Sequence, residues 1–416
     1  MRWLGVAVAL AISASSCSGV GPATPTTLRV LMTDDWVTPP FLDAVRQFER
    51  AHPDVRVVID KGPIRLMPEA VRAGMGSGAP PDVVQGHAFA AAAQELAQPL
   101  DDLWDSKLKV GEFFPGAIED VTWNGKRYGV PLDTNAMVLM YNVDDFRAAG
   151  VPEPGPSMTF AEFEAAARAL TSADGSRRGI AIPTSGWWTY GWVRANGGET
   201  VQVGQDGQAR LTLDAQPVTD ALGYLARLVR DGVAFGPRGA DSHSADAFAL
   251  FRSGRAAMYT NGSWDLATLR KTPAGASYRT ALMPRGPGGE AGTSMGGSSM
   301  FVPKGSKHRE LAFDFMTQLI SDPYALRLAR EEGRLPVRLR VFDDPFFSDP
   351  DFRVFLEQLK TAHPPKIDAF PDASKSFATA VAEVLREGGR DPASALADAQ
   401  RQAVATLAVT VPTGAS

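Results

Sequence analysis

The sequence predicts an α/β chain organised as two domains, and three observations carry that prediction. Short β-type apolar runs alternate with helix-period segments along most of the length, which is the pattern of largely parallel sheets covered by helices. At 416 residues and 44% apolar content, the chain can bury more than one core. No internal repeat is visible, so the two halves resemble each other in architecture rather than in residues.

Leu28 to Met32 is the first strand, followed by a loop over 33–40 and a helix from Phe41 to Ala51 with Phe41, Val45 and Phe48 on one face. Val55 to Ile59 reads as the next strand, 68–73 as a helix, Val83-Val84 as a strand and 88–97 as a helix. After Tyr128-Gly129-Val130-Pro131 comes an apolar strand, Ala136 to Tyr141, which opens the second alternating half. Helices are expected over 159–170, 217–231, 245–251, 307–320, 323–331, 351–361, 374–387 and 392–407, the last two parted by Gly388-Gly389. Thr159 and Glu162 form a capping box for the first of these. Asp322-Pro323 and Asp391-Pro392 each offer an N-cap followed by proline at the first helical position.

The N-terminus carries an address. Met1-Arg2, an apolar stretch from Leu4 to Ile12 and the small residues Ser13 to Ser16 make 1–16 a signal peptide, too short to span a bilayer. Cys17, the sole cysteine, follows directly and resembles the lipidated residue of bacterial lipoproteins, whose thiol receives a diacylglycerol; Ala14 stands where that pattern usually has Leu. The alternative is an ordinary secretory signal cut near Ala23, which removes Cys17. Two acyl chains anchor a protein stably, so lipidation implies a protein held on the outer face of the cytoplasmic membrane by a flexible leash over 17–27. The tail, 409–416, lacks periodicity and is expected to fray.

Composition excludes several function classes. A formal charge of -5 gives no basic field to attract nucleic acid, and no later apolar run is long enough for a transmembrane helix. With Cys17 at the terminus, the folded part has neither a disulfide nor a thiol nucleophile. His52, His87, His243, His308 and His363 lie far apart without metal-ligand spacing, so neither a metal nor a cofactor is expected. Gly74-Met75-Gly76-Ser77-Gly78 lacks the Lys-Ser/Thr pair of a phosphate loop and reads as a turn before Pro80-Pro81. Gly296-Gly297-Ser298-Ser299-Met300 fails the serine-hydrolase pattern at its last position. The adjacent pairs Asp34-Asp35 and Asp101-Asp102 point apart and do not by themselves supply a separated acid and base. No enzymatic chemistry is motivated.

The unusual cluster is Trp187-Trp188-Thr189-Tyr190-Gly191-Trp192, followed by Asn196-Gly197-Gly198. Its glycines and polar neighbours read as neither a helix nor a buried strand. Core packing explains one or two of these rings. Flat rings beside amide and hydroxyl groups also suit a ligand with apolar C–H faces and a rim of hydroxyls, the shape of a sugar.

Ordered motifs then point to a family. Phe48, Pro53, Val55 and Val57, the run Ala79-Pro80-Pro81-Asp82-Val83-Val84, Tyr128 to Pro131, Leu139 to Asn142, Ala149-Gly150-Val151-Pro152 and Thr159-Phe160 with Glu162-Phe163 succeed one another. Phe251, Gly254, Ala256-Ala257-Met258 and Asn261-Gly262-Ser263-Trp264 follow, then Gly296-Gly297, then Gly333 with Leu335-Pro336-Val337-Arg338. In that order they resemble the extracellular solute-binding proteins of bacterial ABC importers, in the carbohydrate branch that includes maltose-binding protein. The resemblance implies a two-lobed periplasmic-binding-protein fold with several hinge crossovers and a ligand cleft that closes between the lobes. Carried over, lobe one holds residues 24–120 plus 282–325, and lobe two holds 121–281 plus 326–408. It implies a monomer that captures a carbohydrate or polyol and delivers it to a membrane permease.

Loops at the carboxyl edges of the strands should face such a cleft. That rule and the family pattern select Asp35, Trp36, Gln85, Asp133, Asn135, Trp187, Trp188, Asn196, Asn261, Gly262, Trp264, Gly297 and Ser298 as ligand-binding candidates. Asp35 and Asp133 can each accept hydroxyl donors, the amides can donate and accept at once, and Trp36, Trp188 and Trp264 can stack. The bland alternatives are helix caps for Asp34 or Asp35 and a simple turn for Asn261-Gly262. Two rival functions stay open: a receptor for a charged glycerophosphodiester, with Arg65, Arg127 or Arg194 as anion partner, and a secreted glycoside hydrolase using two cleft carboxylates. Arg334 and Arg338 could also meet an anion, or sit ion-paired at the surface.

Overall fold

A computed structural model describes residues 25–183, 186–203, 209–236, 244–289 and 292–410. The signal peptide, Cys17, most of the leash, His243 and the residues after Thr410 lie outside the described residues.

Two sheets organise the chain, and they share one layout. In the first, Thr26–Met32 pairs in parallel with both Val55–Lys61 and Val83–Gly86. Thr293–Phe301 then runs antiparallel to Val83–Gly86, with Gly129–Ala136 antiparallel beyond it and the short Ala362–His363 on its other end. In the second, Arg178–Ala181 is parallel to Ala234–Phe235 and Ala256–Asn261; Val138–Asn142 is antiparallel to the latter, and Tyr278–Ala281 lies beyond. Apart from Ala362–His363, a sixth strand in the first, each sheet thus has three parallel strands and an antiparallel pair.

That pair is where the chain crosses. Gly129–Ala136 ends in the first sheet and, past Met137, Val138–Asn142 begins in the second. Tyr278–Ala281 returns the chain to Thr293–Phe301, and Ala362–His363 leads on to the helix Pro371–Leu385 on the second core. The first two crossings clasp each other: Met137 N–H donates to the Ser294 carbonyl at 3.2 Å, and Thr293 Oγ1 donates to the Met137 carbonyl at 2.8 Å. Gly129–Ala136 belongs to the first sheet although residue 121 was the expected start of lobe two; all eight of its residues are buried.

Local sequence explains the covering helices. Pro39–Ala51 begins with two prolines at its first positions and buries Phe41, Val45 and Phe48 at helical spacing. Phe48 meets Phe315 edge-on at 5.1 Å between ring centroids, and burying one such ring stabilises the fold by about 1.5–3 kcal/mol. The expected capping box is present in Phe160–Ala169, with Thr159 and Glu162 bonded reciprocally. Asp391 accepts from Ser394 N–H at 2.9 Å at the start of the last helix.

Three expectations change. Asp322 does not cap its helix: Ser321 occupies that position, and the Asp322 carboxylate pairs with Arg340 instead. Gly74 and Gly76 end the helix Met67–Gly76 rather than forming a free turn, and a Cβ on Gly74 would stand 2.8 Å from Pro80 Cα, so the Pro80-Pro81 segment folds back against it. The tryptophan cluster is helical, over Gly186–Ala195. Tertiary burial of Tyr190, Trp192 and Val193 supplies what local propensity lacks, and Gly191 is small because the Met137 side chain lies against it.

Candidate functional site

A cavity of about 740 Å³ opens where the carboxyl edge of the first sheet faces the helix that follows Ala256–Asn261. Its lining includes Thr33, Asp35, Trp36, Gln85, Asp133, Ser298, Trp264, Glu332 and Arg334.

The polar floor is assembled by register. Asp133 stands opposite Ser298 in the antiparallel pair, and its Oδ1 accepts from Ser298 N–H at 2.8 Å and from Ser298 Oγ at 3.2 Å. Gln85, on the next strand, donates to Ser298 Oγ at 3.2 Å, while its own Oε1 accepts from Thr33 N–H at 2.9 Å and Thr33 Oγ1 at 3.1 Å. The register shifts between Ser298 and Ser299, and the bulge depends on Gly297, whose φ of +102° and close approach to the Asp133 carbonyl leave no room for a side chain.

Arg334 covers this floor from the rim. Its guanidinium lies 3.9 Å from the Trp36 ring centroid. Nη2 donates to the Asp35 carboxylate at 2.9 Å, Nε to Glu332 at 3.1 Å, and Nη1 faces Asp133 at 3.9 Å. Burial pushes the Asp133 carboxyl up to about 6, against the opposing pull of Arg334 and the Ser298 hydrogen bonds. Behind the floor, His87 bonds Asp120 at 2.7 Å; burial works against its charge, yet Asp120, Asp368 and Asp133 raise it to about 9.

The facing edge is aromatic. Trp264 follows the strand directly, and its ring folds back over Gly262, where a Cβ would collide with it. Trp187 lies 5.9 Å from Trp264 and 5.2 Å from Trp188 between centroids. Both backing rings are fixed by their indole N–H groups, Trp187 to the Met295 carbonyl at 2.8 Å and Trp188 to Asn261 Oδ1 at 3.0 Å.

The structure therefore brings Asp35, Trp36, Gln85, Asp133, Trp264, Gly297 and Ser298 together around one cavity, with Gly262, Trp187 and Trp188 behind its aromatic wall. The three asparagines go elsewhere. Asn135 is fully buried and ties the first sheet to the helix Ser263–Arg270, donating to Ser263 Oγ at 2.7 Å and accepting from Ser263 N–H at 3.1 Å. Asn261 is engaged by Trp188, Tyr259 and Asp265, and Asn196 donates to the Pro217 carbonyl at 2.9 Å inside the second core. Among the arginines, Arg127 pairs with Asp101 and Asp105, Arg194 with Glu199, and Arg338 lies over Phe113 facing Asp322, all outside the cavity lining. Arg65 is exposed on the turn Ile64–Leu66, whose Ile64 does line the cavity.

Sequence reasoning did not select Thr33, Thr38, Ile64, Glu331 or Glu332, and weighed Arg334 only as an anion partner or a surface ion pair. Two signals were available: Thr33 is the first residue after its strand, and Glu331, Glu332 and Arg334 form a dense charge run just before the Leu335-Pro336 motif. Among the described residues, no group of three or more acidic, histidine or cysteine side chains is placed to hold a metal, and no helix is long and apolar enough to cross a membrane.

Two sheets of matched layout, crossed by the chain more than once and enclosing a cleft with a polar and an aromatic wall, define a protein that binds a small solute between its lobes. The chain belongs to the bacterial extracellular solute-binding protein family, whose model matches residues 43–354. A binding protein of Brucella abortus is 23% identical over 387 residues, covering 89% of this chain and 90% of that protein. The sn-glycerol-3-phosphate-binding periplasmic protein of Brucella melitensis is 26% identical over 73% of this chain and 72% of its own length. The fold is shared with an ABC substrate-binding protein of Listeria monocytogenes solved in complex with cycloalternan, at a TM-score of 0.79 and 21% identity, covering 92% of this chain and 99% of that one. The protein is a solute-binding protein working outside the cytoplasm, in a family of binding proteins rather than enzymes.

Proposed function

We propose that the protein captures a carbohydrate or polyol in this cleft, by closure of its two lobes, and delivers it as a monomer to a membrane permease. Asp133, Gln85 and Ser298 meet the ligand hydroxyls, Trp264 stacks on its C–H face, and Asp35 and Trp36 act through the Arg334 they hold. Asn135, Asn196 and Asn261 shape the walls without touching ligand.

One observation favours a hydroxylated ligand over a glycerophosphodiester. The lining carries Asp35, Asp133, Glu331 and Glu332 against Arg334, and every nitrogen of that arginine already faces a carboxylate while Trp36 covers its ring plane. Nε and Nη2 are already spent on Glu332 and Asp35, so no two neighbouring nitrogens are left to hold a phosphate in parallel. The relatives that name glycerol phosphate keep the second reading in play, with Arg65, exposed beside the cavity-lining Ile64, as its cation.

A thermal-shift panel of mono-, di- and trisaccharides, polyols and glycerophosphodiesters decides between them. A binding ligand at a hundredfold excess over Kd adds about 2.7 kcal/mol of stability. Stabilisation by sugars or polyols alone supports the proposal, and stabilisation by phosphodiesters alone overturns it. Anchorage is part of the same reading: the lipid on Cys17 keeps the receptor beside its permease. Cys17→Ser should release the protein into the medium with ligand binding unchanged; retention at the membrane would refute lipidation.

A further inference from the structure

We propose that the solute carries a protonated amine on its hydroxylated frame, seated between Asp133, Glu332 and Asp35; the inference rests on the carbohydrate reading above.

Charge is unequal in this confined space. Three carboxylates, Asp35, Asp133 and Glu332, share Arg334 as their cation in the cavity wall. Glu331 is already paired outside, with Arg327 at 2.8 Å, and Asp34 with Lys61 at 3.0 Å, so neither changes this balance. Each carboxylate has two oxygens with more acceptor sites than Arg334 fills. Asp133 uses Oδ1 on Ser298 and turns Oδ2 to Arg334 only at 3.9 Å, too long for a hydrogen bond. Acceptor capacity and negative charge are therefore both in surplus at the floor.

The protein's own groups report the same field. Two basic side chains reach this region, and both are held charged by carboxylates: Arg334 from the rim and, behind the floor, His87 by Asp120, Asp368 and Asp133. Tyr324, which is 8% exposed, has a hydroxyl without a hydrogen-bond partner and feels the charges of Glu332, Arg334 and Asp133. A neutral polyol leaves this surplus uncompensated; a cation satisfies it.

The kind of cation follows from which surfaces are free. A quaternary ammonium has no N–H and is held by aromatic faces, yet the ring nearest the carboxylates, Trp36, is already covered by Arg334 at 3.9 Å. A primary ammonium offers three N–H donors to carboxylate oxygens and needs no ring. Trp264, across the cavity, remains for the C–H face of the frame.

The test uses matched pairs that differ by one hydroxyl-to-amine exchange, glucose with glucosamine, galactose with galactosamine and mannose with mannosamine, by calorimetry on the full chain. The amino member of a pair should bind about tenfold tighter than its hydroxyl twin, since hydrogen bonds to charged groups exceed neutral ones by that order. The advantage should shrink as salt rises. Glu332→Gln should bring the two members to within about threefold of each other, and the more exposed Asp35→Asn provides the same comparison if Glu332→Gln does not fold. Equal or tighter binding of the hydroxyl members overturns the amine and leaves the carbohydrate reading standing. An amine advantage that persists in both variants overturns the assigned seat. Binding of no pair member, with glycerophosphocholine bound instead, overturns both readings.

Discussion

The two edges that meet in the cleft are built from opposite materials. The first sheet presents Thr33, Gln85, Asp133 and Ser298, each hydrogen-bonded to another member of the set. The second presents Trp264, backed by two rings whose N–H groups are spent on the protein. The polar edge is fixed by interactions that are costly to break when buried, so under the proposed function it sets where a ligand sits and which groups it carries. The aromatic edge contributes area, which is tolerant of small shifts. Affinity should therefore collapse when the first edge is damaged and decline when the second is.

Removing Asp133 tests the larger effect. Asp133→Ala leaves Ser298 N–H without its acceptor and Arg334 with one carboxylate fewer, so ligand affinity should fall about a hundredfold, near 3 kcal/mol. Calorimetry with whichever sugar the panel selects reads this directly; a loss within about threefold would place the ligand away from the polar edge. Trp264→Ala comes next, at about 1–2 kcal/mol. Its unliganded melting temperature should stay close to that of the unaltered protein, because the ring is only partly buried. A ligand-induced shift that survives intact would remove Trp264 from the contact surface.

The smallest effect is a pH dependence in which binding and stability move in opposite directions. Asp133 has a folded-state pKa of about 6, raised from 3.8 by burial. A ligand that needs its carboxylate should bind about tenfold more weakly at pH 5 than at pH 7. Stability of the unliganded protein responds with the other sign: the cost of burying this charge is fully present above pH 6 and is relieved as pH falls toward 4. Asp265, also pushed by burial to about 6, adds to that trend. Asp133→Asn should flatten the binding profile, and a profile that stays steep would assign the proton to another group.

The comparison also explains what could be read from sequence. The carboxyl-edge rule leads to Asp35 and Gln85 on the cavity lining because position after a strand is a local property, and the family resemblance leads to Trp264. Asn135 and Asn261, taken from the same resemblance, lie off that lining, their amides held by partners brought close by folding: Ser263 is 128 residues from Asn135, and Trp188 is 73 from Asn261. A side chain's free hydrogen-bonding capacity is a tertiary property. The helix Gly186–Ala195 was hidden for the same reason, since its glycines and β-branched residues argue against a helix until Trp192 and Tyr190 are buried. Arg334 was visible as a charge, but nothing local shows that it would be laid over Trp36 from the far end of the chain.

The crossed strands bear on how the chain is made. Gln85 waits for Ser298, 213 residues later, and the first sheet stays open until Thr293–Phe301 has been synthesised. Contacts this distant in sequence form slowly, because a long loop must close before any of them is rewarded. The polar edge of the cleft, which joins Thr33, Gln85, Asp133 and Ser298, is therefore completed only after most of the chain has been made.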